Sequence, residues 1–190
     1  FQHEDVVCHT QRQCAAGGAF ARDDGDDRDP AVPSLIPGGK EMKIMVVGGG
    51  GREHALIKKI KESPKTGKIY ALPGNGGIAQ DAECVNINAK DIPGMVKFAK
   101  EKEIDFAVVA PDDPLVLGAV DALQEAGVKT FGPTKAAAII EGSKAFSKDL
   151  MKKYKIPTAA YETFTDMQAA LDYLDTQKAP IVVKADGLAL

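Results

Sequence analysis

Four consecutive glycines at residues 48–51 separate a short apolar run from an amphipathic segment in MKIMVVGGGGREHALIKKI (residues 42–60), and no other stretch constrains the fold as sharply. Glycine has no Cβ, so the backbone can turn sharply there and let a ligand approach its amide N–H groups. A helix that begins just afterwards adds its unpaired N–H groups and the positive end of its dipole. A tight strand-to-helix turn needs only one or two glycines. Four in a row favour an anion site, most often one for phosphate.

The pattern downstream of residue 42 alternates between strand and helix signals. Residues 43–48 read as a buried strand and residues 52–62 as a helix with Leu56 and Ile60 on one face. Residues 68–72 and 84–87 read as further strands. Residues 91–102 form a helix that Asp91 can cap, with Pro93 in its first turn. Residues 105–110 are a strand, 114–126 a helix ended by Gly127, and 128–132 a last short strand. Such alternation predicts an α/β fold with a parallel, Rossmann-like sheet. Ligands of these sheets bind at the carboxyl ends of the strands. Residues 48–54, 73–77 and 110–115 all fall at such ends, so they can line one crevice.

After Gly132 the rhythm changes. Residues 134–157 are helical almost throughout, with a break near Gly142 and Ser143, and residues 166–177 form another helix with Met167, Ala170, Leu171 and Leu174 on one stripe. APIVVKADGLAL reads as a strand that runs to Leu190. A second domain is expected to start near Gly142 and to be cut off inside itself, leaving a strand edge near Val182 and Val183 exposed to aggregation.

The first 41 residues carry no strand or helix period. They hold four basic against eight acidic residues, whereas the remainder is nearly balanced at twenty against nineteen. RDDGDDRDPAVPSLIPGGKE is acidic and then rich in Pro and Gly, the composition of a disordered segment. It has neither the basic start and apolar core of a secretory signal nor the acid-poor composition of a transit peptide. The chain begins at Phe1, while Met42 directly precedes the first strand. Residues 1–41 are therefore expected to be a disordered extension or a tail foreign to the fold.

The glycine loop does not fit a dinucleotide. G-x-G-x-x-G would need a third glycine where Glu53 stands, and an acid is wanted about 20 residues on, at the end of the second strand. YALPGN has none, so a nicotinamide-dependent oxidoreductase fails at two points. Arg52, Glu53 and His54 suit a ligand that combines an anion with hydroxyl or amine groups. His54 by itself reads as a packing histidine, with no metal or base role.

Other classes are disfavoured by composition. The net charge of −3 provides no basic field for nucleic acid, and KDLMKKYK (residues 148–155) reads as a solvated helix face. No apolar run nears the roughly 18 residues needed to span a membrane. Cys8, Cys14 and Cys84 are too few and too scattered for a disulfide framework or a zinc site, which suggests reduced thiols in the cytoplasm.

GGGGREHAL, LPGNGG, APDDPLVLG, FGPTKAAAIIEGSKAFSKDLMKKYKIPTA and PIVVKADGLA follow one another at a spacing that resembles the phosphoribosylamine–glycine ligase (glycinamide ribonucleotide synthetase) family of ATP-grasp enzymes. The resemblance covers residues 42–190. It implies a tail at 1–41, a Rossmann-like substrate-binding (pre-ATP-grasp) domain at 42–141 and the truncated start of an ATP-grasp domain at 142–190. It also implies a reaction: ATP phosphorylates glycine to glycyl phosphate, and the amine of 5-phosphoribosylamine displaces phosphate to give glycinamide ribonucleotide in purine biosynthesis.

By position, the resemblance assigns Gly50, Gly51, Arg52 and Glu53, then Gly74 and Asn75, then Asp112 and Pro114, to phosphoribosylamine. Asp112 stands where the family often has glutamate, which keeps the charge and shortens the reach. Lys144 and Lys184 match the two lysines directed at ATP phosphates. A cation at a helix start is disfavoured by the dipole, and a strand lysine is costly to bury alone, so anionic ligands suit both positions. The ligands of Mg2+ and the catalytic groups are implied to lie past Leu190, so residues 1–190 alone are expected to be inactive. A non-catalytic sugar-phosphate or nucleotide-binding module is the alternative.

Overall fold

The computed structural model of the 190-residue chain describes the backbone of residues 6–10 and the whole of residues 41–188. In chain order the elements are β1 (Val6–Thr10), β2 (Met42–Gly48), α1 (Gly51–Lys61), β3 (Thr66–Pro73), a 3-10 turn (Ile78–Gln80), β4 (Glu83–Cys84), α2 (Ile92–Glu101), β5 (Phe106–Val109), α3 (Asp112–Leu117), α4 (Ala119–Glu125), β6 (Lys129–Phe131), α5 (Lys135–Gly142), α6 (Lys144–Lys153), β7 (Tyr161–Phe164), α7 (Met167–Thr176) and β8 (Ile181–Ala185).

Five strands form a parallel sheet in the order β4-β3-β2-β5-β6. The continuous apolar run of β2 reflects burial on both faces. Met45 and Val47 pack with Leu72, Val109, Met95 and Leu123 on one side. Ile44 and Val46 pack with Ile57 of α1, Ile69 and Ile78 on the other. Each such side chain contributes roughly 1.5–3 kcal/mol by leaving water. Asp91 caps α2 by accepting the Gly94 N–H at 3.0 Å. The chain is thus an α/β fold with the expected Rossmann-like sheet.

Several elements differ from expectation. The third strand shrinks to Glu83–Cys84, paired with Tyr70 and Ala71. The helix expected at 114–126 begins at Asp112 and is cut by Gly118, whose φ of +94° lies in the left-handed region that ends helices. β7 was not foreseen. The stripe on α7 is only partly covered: Ala170 is buried, while Met167 and Leu171 are exposed.

The expected tail is not featureless throughout. β1 lies between β7 and β8, antiparallel to both, with Cys8 opposite Glu162 and Val183. β8 therefore has a partner along one edge. Glu41 and Val6–Thr10 apart, the expectation for residues 1–41 lies outside the described residues, as does Cys14.

Candidate functional site

The strand order reverses direction at β2, with β3 on one side and β5 on the other, so the loops after β2 and β5 part to leave a crevice. The glycine loop sits at this switch point. Gly48 has φ +124°, and a Cβ there would come within 2.8 Å of Pro111 in the loop after β5. A Cβ on Gly49 would stand 2.5 Å from the Gly74 carbonyl oxygen. Gly51 faces open space, so packing does not explain its lack of a side chain.

The turn after β3 is strapped to this loop. The Gly74 N–H donates to the Gly48 carbonyl at 3.2 Å, and Asn75 Nδ2 donates to the Gly49 carbonyl at 2.6 Å. Asn75 Oδ1 meanwhile accepts from the Gly77 and Ile78 N–H groups. Gly74 and Asn75 thus hold the glycine loop in shape.

Glu53 also turns inward. It is 4% exposed, and its Oε2 accepts the Gly50 N–H at 2.7 Å. Its Oε1 is buried without a hydrogen-bond partner. The carboxylate already occupies the start of α1, so Gly50's N–H is satisfied from within, while Gly51 and Arg52 are exposed. His54 ties α1 to the segment after Asn75: its Nε2 lies 2.9 Å from Asp81 Oδ2, and Lys61 Nζ lies 3.1 Å from Oδ1. The His54 hydrogen bond first, then Lys61, holds the Asp81 carboxyl below the usual carboxylate range.

The lysines come together through a residue that sequence reasoning missed. Asp186, two residues after Lys184, accepts from the Ser143 hydroxyl at 2.9 Å and from the backbone N–H groups of Lys144 and Ala145 at 2.5 and 3.1 Å. Burial alone would raise the Asp186 carboxyl, but donors from Ala145, Ser143, Gly187 and Lys144 together lower it. The start of α6 is therefore pinned to the end of β8. Lys144 Nζ donates to the Gly187 carbonyl, closing the same junction.

Arg52, Asp112, Pro114, Lys144 and Lys184 line one cavity of about 710 Å³. Gly50, Gly51, Glu53, Gly74 and Asn75 do not line it; they form the pair of loops that carries Arg52. Pro114 is buried as well as cavity-facing. Lys184 is exposed, so the argument from the cost of burying a strand lysine does not apply to it. Its β-strand places it on the wall instead. Asp113, next to Asp112, is paired with Lys90 at 2.5 Å. Arg52, Lys144 and Lys184 have no ion pair among the described residues, which leaves their charge available to a ligand.

Residues 42–141 match the family described as phosphoribosylglycinamide synthetase, N domain, and residues 142–190 match phosphoribosylglycinamide synthetase, ATP-grasp (A) domain. The chain is 55% identical over 150 residues to phosphoribosylamine–glycine ligase of Haemophilus influenzae and 55% identical over 148 residues to that of Agrobacterium fabrum. Each alignment covers 78% of this chain and 35% of the relative, so the chain spans about a third of the length of the curated relatives it matches. The crystal structure of phosphoribosylamine–glycine ligase from Thermotoga maritima superposes with a TM-score of 0.59 at 26% identity, covering 77% of this chain and 33% of that one. The biotin carboxylase domain of a single-chain bacterial carboxylase shares the fold, with a TM-score of 0.55 at 14% identity over 78% of this chain and 41% of its own.

Proposed function

This chain belongs to the phosphoribosylglycinamide synthetase family, and from that premise we propose that the whole protein is a carbon–nitrogen ligase joining glycine to 5-phosphoribosylamine at the expense of ATP. A glycine carboxylate oxygen attacks the γ-phosphorus and ADP leaves, giving glycyl phosphate. The amine nitrogen then attacks the acyl carbon, phosphate departs, and the nitrogen loses a proton. The product is glycinamide ribonucleotide, an intermediate of purine biosynthesis, and the reaction belongs in the cytoplasm.

The observation that carries this reading is the shared cavity. Arg52 from the glycine loop, Asp112 from the loop after β5, and Lys144 and Lys184 from the α6–β8 junction line one space. Arg52 takes the sugar phosphate, because a guanidinium fork matches phosphate geometry. Asp112 faces the substrate amine. Lys144 and Lys184 take ATP phosphates as compact cations. Gly50, Glu53, Gly74 and Asn75 act by shaping the loop. Residues 42–141 serve as the substrate-binding domain and residues from 142 onward as the nucleotide-binding one.

Mg2+ accompanies ATP in this reading. Among the described residues no group of three or more His, Cys, Asp or Glu side chains is placed to hold a metal ion.

Calorimetric titration of the 190-residue chain with ribose 5-phosphate and with ATP tests the proposal. Both are expected to bind, with Arg52→Gln weakening only the sugar phosphate and Lys184→Met only ATP. Binding of NADH in competition with ribose 5-phosphate would overturn it.

A further inference from the structure

Lys148 sits in the run that reads as a solvated helix face, yet it turns inward. It follows Lys144 by four residues on α6, so the two share one side of the helix. Its Nζ donates to Thr158 Oγ1 at 2.6 Å and to the Ala159 carbonyl at 3.3 Å. It also lies 5.7 Å from the centre of the Tyr161 ring. Two of its three N–H donors are used, and one remains.

Lys144, Lys148 and Lys184 all line the same cavity. Among the described residues none of them has a carboxylate at ion-pair distance. Burial first, and the neighbouring charge of Lys184 second, push the Lys148 ammonium below the usual lysine value. Gathering three like charges with no carboxylate paired to any of them works against the fold, and a ligand carrying several negative charges reverses that cost.

We propose that Lys148 is a third phosphate-directed cation of this cavity, which makes the wall complementary to a chain of phosphoryl groups rather than to one phosphate monoester. The inference rests on the reading of Lys144 and Lys184 given above, and adds a residue to it. The groups facing Lys148 are Lys144 and Lys152 on α6, Lys184 on β8 and Tyr161 on β7, with Glu141 and Asp112 elsewhere on the cavity wall. Tyr161 donates its hydroxyl to Asp149, which pushes the Tyr161 ionisation up to about 12, so it stays neutral while Lys148 loses its charge.

The test is calorimetric titration of the 190-residue chain with inorganic tripolyphosphate and with inorganic phosphate, in wild type, Lys148→Met, Lys148→Arg and Lys184→Met. Wild type is expected to favour tripolyphosphate. Lys148→Met is expected to bind it roughly tenfold more weakly, equivalent to about 1.4 kcal/mol. Wild-type affinity is expected to fall as pH rises, before the usual lysine range is reached, while Lys148→Arg holds its affinity there because guanidinium keeps its charge. If Lys148→Met fails to fold by circular dichroism, that pH difference decides alone. Wild-type affinity in a folded Lys148→Met, or matching pH curves for wild type and Lys148→Arg, would make Lys148 a packing residue and overturn the proposal. Loss of neither preference nor affinity in Lys184→Met would instead overturn the underlying reading of the site, and this proposal with it.

Discussion

Residues 42–141 and residues 142–188 hold the two sides of the cavity by different means. In the first region Met45, Val46, Val47, Leu72 and Leu123 are completely buried between helices and a doubly covered sheet. In the second, Ala170 is the single buried hydrophobic among the described residues, and Met167, Leu171 and Val183 remain 76%, 46% and 52% exposed. The ring contact of Phe164 with Tyr173, at 5.1 Å, ties β7 to α7, and the Asp186 carboxylate ties β8 to α6. Arg52 is thus placed by packing, while Lys144 and Lys184 are placed by a few polar contacts. A cavity whose walls are held so differently pairs a rigid side, around Arg52, with a more yielding side, around Lys144 and Lys184.

The contrast breaks most visibly at β1. A chain beginning at residue 11 loses every ladder of the small sheet, so amide exchange at 161–164 and 181–185 is expected to become fast while β2, β3 and β5 stay protected. Retained protection at both sites would show the small sheet to be self-supporting. Next in size, Leu123→Ala is expected to cost about 2–5 kcal/mol in urea unfolding, and Leu171→Ala under about 1 kcal/mol, because only the first leaves a cavity. Equal losses would erase the distinction.

A smaller effect sharpens the loop itself. Gly49→Ala drives a methyl to 2.5 Å from the Gly74 carbonyl and is expected to cost about 1–3 kcal/mol. Gly51→Ala meets nothing, so its midpoint is expected to hold or rise slightly. Smallest is the acid limb of the second region. The Asp186 carboxyl is lowered on folding, so its contribution is full above the unfolded value, roughly 3.9, and is lost as pH falls through the lower folded one. Asp186→Asn is expected to lower the unfolding midpoint at neutral pH, as loss of a cap of about 1 kcal/mol does. That deficit should shrink in acid. A deficit constant down to low pH would assign the loss to shape rather than charge.

The sequence by itself determined the alternation of strands and helices, the Asp91 cap and the glycine turn, because each is written within a few neighbouring residues. The placement of Arg52, Asp112, Lys144 and Lys184 near strand ends and helix starts was legible for the same reason. Gly118 was not, since one glycine in an apolar helical pattern reads as tolerated until its positive φ is seen. Nor was β7, four residues long and half polar, which becomes a strand only beside β1. Tertiary structure alone decided that Glu53 faces inward to its own loop, that Lys148 reaches Thr158 and the Ala159 carbonyl, and that Asp186 reaches Ser143 across 43 positions. Local dihedral preference can be read along the chain; which charge meets which depends on contacts that form only when distant segments pack.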